Sequence, residues 1–266
     1  MRESYKPVYS DEYQNHQIFS ELETYIEFYE NLSFSILSFA TPGLNDILNI
    51  DTYLYRSMKS TLHSIQMVLE YGAINDAYSL LRKYYDSVTI NIYLILYLED
   101  NSTIENFIVE TISDWIKGNK ELPSFKEMAK YIKNSNRVSE INQLLDLDKY
   151  IKIRDRCNNH THANSFYIML LNINDAYVEK RVNLLDQFSH DIRNLFIFHI
   201  AYLFFIKDVY MASSDYVDSL DYGLKPEEEM KYWVSPFVQT VFDEVIGKER
   251  PDIVDKIKQN TSLNLS

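Results

Sequence analysis

Five glycines and six prolines are all that punctuate 266 residues. Tight turns are built mostly from these two residue types, and a β-sandwich or a doubly wound α/β protein needs many such turns. So sparse a supply favours long helices. No strand-type alternation is long enough to build a sheet, and no sequence repeat recurs at a fixed period. Apolar residues make up 46% of the chain, enough to bury a full core in one large domain or in a domain with an appendage. The expected class is therefore all-α: a mostly antiparallel helical bundle with short accessory helices and a C-terminal helical extension.

Local signals place the helices. A helical pattern runs from Asp11 to Ala40, with Pro42-Gly43 as its stop. Met58, Leu62, Ile65 and Leu69 recur at spacings of four, three and four, which predicts a helix over about 52–71 capped by Gly72. A third helix, about 75–98, turns almost wholly apolar after Asp86. Ser102 with Glu105 and Ser124 with Glu127 have the spacing of capping boxes, so shorter helices should cover about 103–117 and 125–134. Another follows at about 139–146, one begins near Asp148, and a long one covers about 176–212. Pro226 and Pro251 sit at first-turn positions of two final helices, about 226–246 and 251–258. The acidic run Glu227-Glu228-Glu229 then complements a helix dipole. The most apolar stretch, LFIFHIAYLFFI at 195–206, is bounded by Arg193 and Lys207, too short for a bilayer, and reads as a buried helix.

Charge narrows the function. A formal net charge of −13 repels phosphate backbones and argues against extended, non-specific nucleic-acid binding. The 22 tyrosines and 14 phenylalanines are read as packing residues rather than base-stacking ones. A single cysteine, Cys157, leaves no intrachain disulfide and no CxxC metal site, and the opening MRESYKPVYSDEY lacks the apolar core of a signal peptide. The expectation is a cytoplasmic protein with no membrane association. The motifs GxGxxG, HExxH, GxSxG and the P-loop are all absent.

One segment is chemically dense. RDRCNNHTH, residues 154–162, holds two arginines, an aspartate, the cysteine, two asparagines and two histidines. Cys157, His160 and His162 offer too few ligands for a stable metal site, so no metal and no cofactor are expected. Between Leu147 and His162, four basic residues (Lys149, Lys152, Arg154, Arg156) outweigh Asp148 and Asp155, making a basic island able to hold an anion. On an ideal helix Arg156 and His160 share a face, whereas Arg154 lies about 120° away from His160. A plainer account stands beside this one: a polar helix terminus in which Asp155 pairs with a cation, the asparagines satisfy backbone groups and the histidines cap or pack. Arg82 and Asp86, four apart, are either a mutual ion pair at an exposed helix start or part of the same cleft as Arg154 and His160.

RDRCNNH resembles the R-x(4–6)-H motif of the HEPN superfamily, compact helical domains in which that motif forms the active site of many endoribonucleases. LLRKYYDSVTINIYLILYL, from Leu80 to Leu98, is similar to the arginine-bearing apolar helix of uncharacterised bacterial proteins related to that group. The likeness covers about residues 50–212. It makes 51–212 a HEPN-like core, flanked by an N-terminal helical segment at 1–50 and a C-terminal extension at 213–266.

The resemblance implies a metal-independent endoribonuclease of a defence or toxin system. His160 would carry a proton during attack of an RNA 2′-hydroxyl on the adjacent phosphate, Arg154 would stabilise the developing charge, and Asp155 would orient one of them. Arg82, Asp86, Arg156, Asn159 and His162 would contribute to binding, and the motif's register is either Arg154/His160 or Arg156/His162. The partners implied are RNA or a nucleotide, and a second copy paired across a two-fold axis. The competing expectation is a non-catalytic helical binding or scaffold protein that uses the pocket for a nucleotide, another anion or a protein partner.

Overall fold

In a computed structural model, residues 7–38, 50–102, 109–213, 222–225, 229 and 232–266 are described. The chain is all-α. Among the described residues there is no strand, only a single antiparallel bridge between Ala212 and Val234. Pro42-Gly43, Glu105, Pro226, Glu227 and Glu228 lie outside the described residues.

The helices follow the local signals closely, with instructive exceptions. The first expected helix is two: α1 (Asp11–Gln14) and α2 (Gln17–Ser38). His16 causes the break, because its Nδ1 accepts the Ile18 backbone N–H at 3.2 Å and so caps α2 with a side chain. α3 (Ile50–Tyr71) ends at Gly72, whose φ of +93° is the left-handed conformation expected of a capping glycine. α4 (Ile74–Asn101) follows almost at once. The accessory helices are α5 (Glu110–Ile116), α6 (Phe125–Asn134) and α7 (Ser139–Leu144). Before α6 the capping box has both arms: Glu127 returns a carboxylate to the Ser124 N–H at 2.8 Å, while Ser124 Oγ accepts the Glu127 N–H.

α8 (Leu147–Thr161) carries the dense motif and is started by Asp146, whose carboxylate accepts the N–H groups of Asp148 and Lys149. After the short α9 (Phe166–Leu170), α10 spans Arg181–Ile206 rather than 176–212. Lys180, held at a φ of +57°, cannot extend a helix backwards, and a 3₁₀ turn at Asp208–Met211 replaces the far end. The helix expected over 226–246 is not continuous, because residues 232–235 are not α-helical; α11 is Pro236–Val241, with proline in its first turn, and continues through a π turn over Phe242–Ile246. α12 is Pro251–Asn260 with proline in its first turn, as expected.

The chain divides into two compact units. The first comprises residues 1–27, 57–87 and 146–196. Its core includes Tyr13, Leu62, Leu69, Leu81, Tyr84, Ile153 and Phe188, each without solvent exposure. There α4 and α8 run antiparallel: Asp86 meets Arg154, Arg82 meets Asn158, and Asn75 meets His160, so one number falls as the other rises. α2 and α10 run parallel, from His16–Asp186 through Glu21–Arg193 to Tyr25–Phe196.

The second unit comprises 28–56, 88–145 and 197–266. Phe204 packs between an edge-on Phe28 and a stacked Phe242, joining α2, α10 and the π turn. Burial of Ile200, Ala201, Leu203 and Phe204 bears out the reading of the apolar run as a core helix. No helix of the described residues is long and apolar enough to cross a membrane.

Candidate functional site

α8 is polar on most of its surface and apolar along a narrow stripe. Tyr150, Ile153 and Cys157 are its buried residues, and they seat the helix in the first unit. That seating fixes where the motif's polar side chains go. Arg154, one position past Ile153, reaches across to α4 and donates from Nη1 to Asp86 Oδ1 at 2.6 Å. Arg82 also pairs with Asp86, at 3.4 Å, and donates to Asn158 Oδ1. The expected i,i+4 pair is thus present, and Arg82 shares its carboxylate with Arg154. Burial pulls the Arg154 guanidinium below its ordinary value, against the opposing pull of Asp86.

Two residues along, Arg156 points to α10. Its guanidinium grips Asp191 through two parallel bonds, Nε to Oδ2 at 2.8 Å and Nη2 to Oδ1 at 2.5 Å. Asp191 has no solvent exposure, and its oxygens also accept from Gln187 Nε2 and the Tyr78 hydroxyl. Four donors saturate the carboxylate, and the bonds to Asp191 hold the Arg156 guanidinium above its ordinary value. The first unit's clearest electrostatic clasp therefore involves a residue, Asp191, that motif reading missed. Its only sequence signal is a lone carboxylate at the threshold of an apolar helix.

His160 sits on the Arg156 face, as helical arithmetic required. Its ring stacks on Tyr78 at 4.1 Å and 19°, and Nδ1 donates to Asn75 Oδ1 at 3.1 Å. Burial pushes the imidazole down to about 4, with Asp191 pulling weakly the other way, so the ring is neutral at pH 7. Cys157 is buried between the two arginine clusters, and burial pushes its thiol up to about 12, which keeps it protonated.

The remaining predicted residues lie outward. Asp155, Asn159 and His162 are exposed. Asn159 accepts from Asn164, and His162 is the C-cap of α8. Arg154 and His160 are not brought together within one chain. Their anchors on α4, Asp86 and Asn75, stand eleven residues apart, about 16 Å along a helix axis. The pair that shares a face is Arg156 and His160.

A second polar cluster, in the other unit, went unread in the sequence, although its His199 lies inside the apolar run at 195–206. Tyr29 donates to His199 Nδ1 at 2.7 Å; His199 Nε2 donates to Asn91 Oδ1 at 2.8 Å. Asn91 Nδ2 donates to Asp51 Oδ1 at 2.8 Å, and Tyr210 to Asp51 Oδ2 at 2.9 Å. Every member is bonded inside a low-dielectric core, which fixes a single His199 tautomer. Burial pushes His199 down to about 3 and Asp51 up. A 760 Å³ cavity in that unit is lined by Asp100, Tyr131 and Arg137 among others, and no residue of the α8 motif reaches it. Asp100 is already engaged by Tyr131 and Arg137.

No family model, no curated protein and no solved structure matches the chain.

Proposed function

We propose that the chain is a non-catalytic helical binding or scaffold protein in which the HEPN-like motif of α8 serves as an interhelical clasp. The observation that carries this reading is the bidentate Arg156–Asp191 pair, whose carboxylate is fully buried and accepts four donors. Such a pair locks α8 to α10, and a catalytic group so engaged must break good bonds before it meets a substrate. Arg154 is likewise set on Asp86, and the His160 ring is stacked and bonded to α4. An anion arriving at α8 would compete with Asp86 for Arg82 and Arg154 and with Asp191 for Arg156. Purified protein incubated with RNA in chelator should leave the RNA intact. Cleavage that disappears in a folded His160→Ala variant would overturn the proposal.

One observation favours a second reading, a metal-independent endoribonuclease of a defence or toxin system. Arg156 and His160 stand on one face of α8, and the imidazole is neutral at pH 7, the form in which a general base begins. In that case RNA cleavage would vanish in Arg156→Gln and His160→Ala and survive Arg154→Gln, the reverse of what the Arg154/His160 register requires.

A further inference from the structure

α9 is composed of Phe-Tyr-Ile-Met-Leu, yet none of its residues is buried. Ile168 and Leu170 are half-buried, while Phe166, Tyr167 and Met169 are exposed. Three large side chains left outside a core demand an explanation beyond folding, because fully burying an apolar side chain of that size stabilises a chain by about 1.5–3 kcal/mol. Exposure is not confined to α9. Phe166 is 74% exposed and Met169 54%; Tyr177, beyond the helix, is 72%; Tyr71 and Met67, one turn apart on α3, are 61% and 58%.

Contacts within the first unit bring together the segments that carry these residues. Gly72, immediately after Tyr71, is approached so closely by Val8 that an added Cβ would meet it at 2.6 Å, which brings the Pro7–Tyr9 turn against the end of α3. Arg181 then ties this corner to the α9 side by donating to the carbonyls of Gly72, Ile173 and Ala176. Tyr167 lies within electrostatic range of the same guanidinium, and the Tyr9 hydroxyl accepts from Asn174. Ile74 N–H bonds to the Leu171 carbonyl, and Asp76 accepts from Asn172. The exposed aromatic and methionine residues at the end of α3, on α9 and at Tyr177 are thus carried on segments bonded to one another. Clustered apolar exposure of this kind marks interaction sites.

Its edge is acidic. Glu70, Asp76, Asp175 and Glu179 are exposed within or beside the same segments, against Lys180. That charge selects the occupant. A second copy would set one acidic edge against another in a chain already at −13, and anionic lipid or RNA would meet the same repulsion. We infer that this surface docks a basic amphipathic segment of another protein, with the partner's apolar face on Phe166, Met169, Tyr71 and Met67 and its lysines or arginines on the carboxylate edge. This deepens the scaffold reading by naming the class of partner, and its residues are separate from the α8 clasp.

The test uses the full chain and two synthetic amphipathic helical peptides of one apolar sequence, one carrying lysine and arginine on its polar face and the other glutamate. Fluorescence anisotropy should report binding of the cationic peptide alone, weakening as salt rises. Phe166→Ser and Met169→Ser should each weaken it by about tenfold or more with the thermal melt unchanged, because neither side chain is part of the core. Glu70→Lys with Asp175→Lys should weaken it as well. No binding of the cationic peptide, or equal binding of the acidic one, would overturn the inference. So would single-stranded RNA binding or self-association that the Phe166 and Met169 substitutions abolish, since either assigns the surface to a different occupant. Whether RNA is cut is measured separately, so failure here and failure of the scaffold reading remain distinguishable.

Discussion

Asp191 concentrates more of the first unit's polar energetics than any residue of the motif that drew attention to the region. Its carboxylate has no solvent exposure and holds Arg156, Gln187 and Tyr78 together. Removing it strands a partly buried guanidinium and two donors, whereas keeping it costs little because every lone pair is used. Asp191→Ala should lower unfolding stability by about 3 kcal/mol, and Asp191→Asn by less, as measured by urea denaturation. The reciprocal change, Arg156→Met, should cost at least as much, since it leaves a carboxylate with no solvent exposure facing only neutral donors, whereas the guanidinium freed by Asp191→Ala still reaches water.

Among the elements, α3 and α8 end on the same backbone conformation with opposite residue choices. Gly72 closes α3 at a φ of +93°, while Ala163 follows α8 at +47° and accepts the strain of a side chain in the left-handed region. Ala163 and Asn164 return N–H groups to the His160 and Asn159 carbonyls at 3.0 Å, so the turn is well made despite the residue. Gly72→Ala should cost about 2 kcal/mol or more, because the added methyl is both strained and driven into Val8. Ala163→Gly should gain about 0.5 kcal/mol, the relief of strain exceeding the added freedom of the unfolded chain. Paired thermal melts check both signs. The capping glycine of α3 was legible in the sequence, as were the Ser124 box and the Pro251 start, because each is a local arrangement of neighbours. The start of α10 at Arg181 was not, since a left-handed Lys180 is set by the turn around Arg181 and its three carbonyl partners.

For the molecule as a whole, three groups shifted by burial link stability to pH. His199 and His160 are both depressed by burial, so the native state binds fewer protons than the unfolded chain. Their contribution is complete above the unfolded value of 6.5 and is lost as pH falls, toward about 4 for His160 and about 3 for His199. From pH 7 to pH 5, His199 should cost about 2 kcal/mol of stability, and His160 less because water reaches its ring. Asp51 acts in the opposite direction. Burial raises it, so its contribution is greatest at low pH and is lost as pH rises from the unfolded value through the raised native one. Asp51→Asn removes that loss, and its stability relative to the parent should improve between pH 5 and pH 8. Urea midpoints across that range test both slopes.

What the amino-acid order determined by itself was the kind of structure. Scarce turn residues, apolar spacing of three and four, and capping residues a few positions from what they cap all act through near neighbours, and they yielded the class and most helix positions. The tertiary structure decided what the dense motif's side chains meet. Arg154, Arg156 and His160 find Asp86, Asp191 and Asn75 at separations of 68, 35 and 85 residues. Only the packing of α4, α8 and α10 fixes those distances, because a side chain's partner is chosen by which helix faces are buried together, a property that no local stretch of sequence contains.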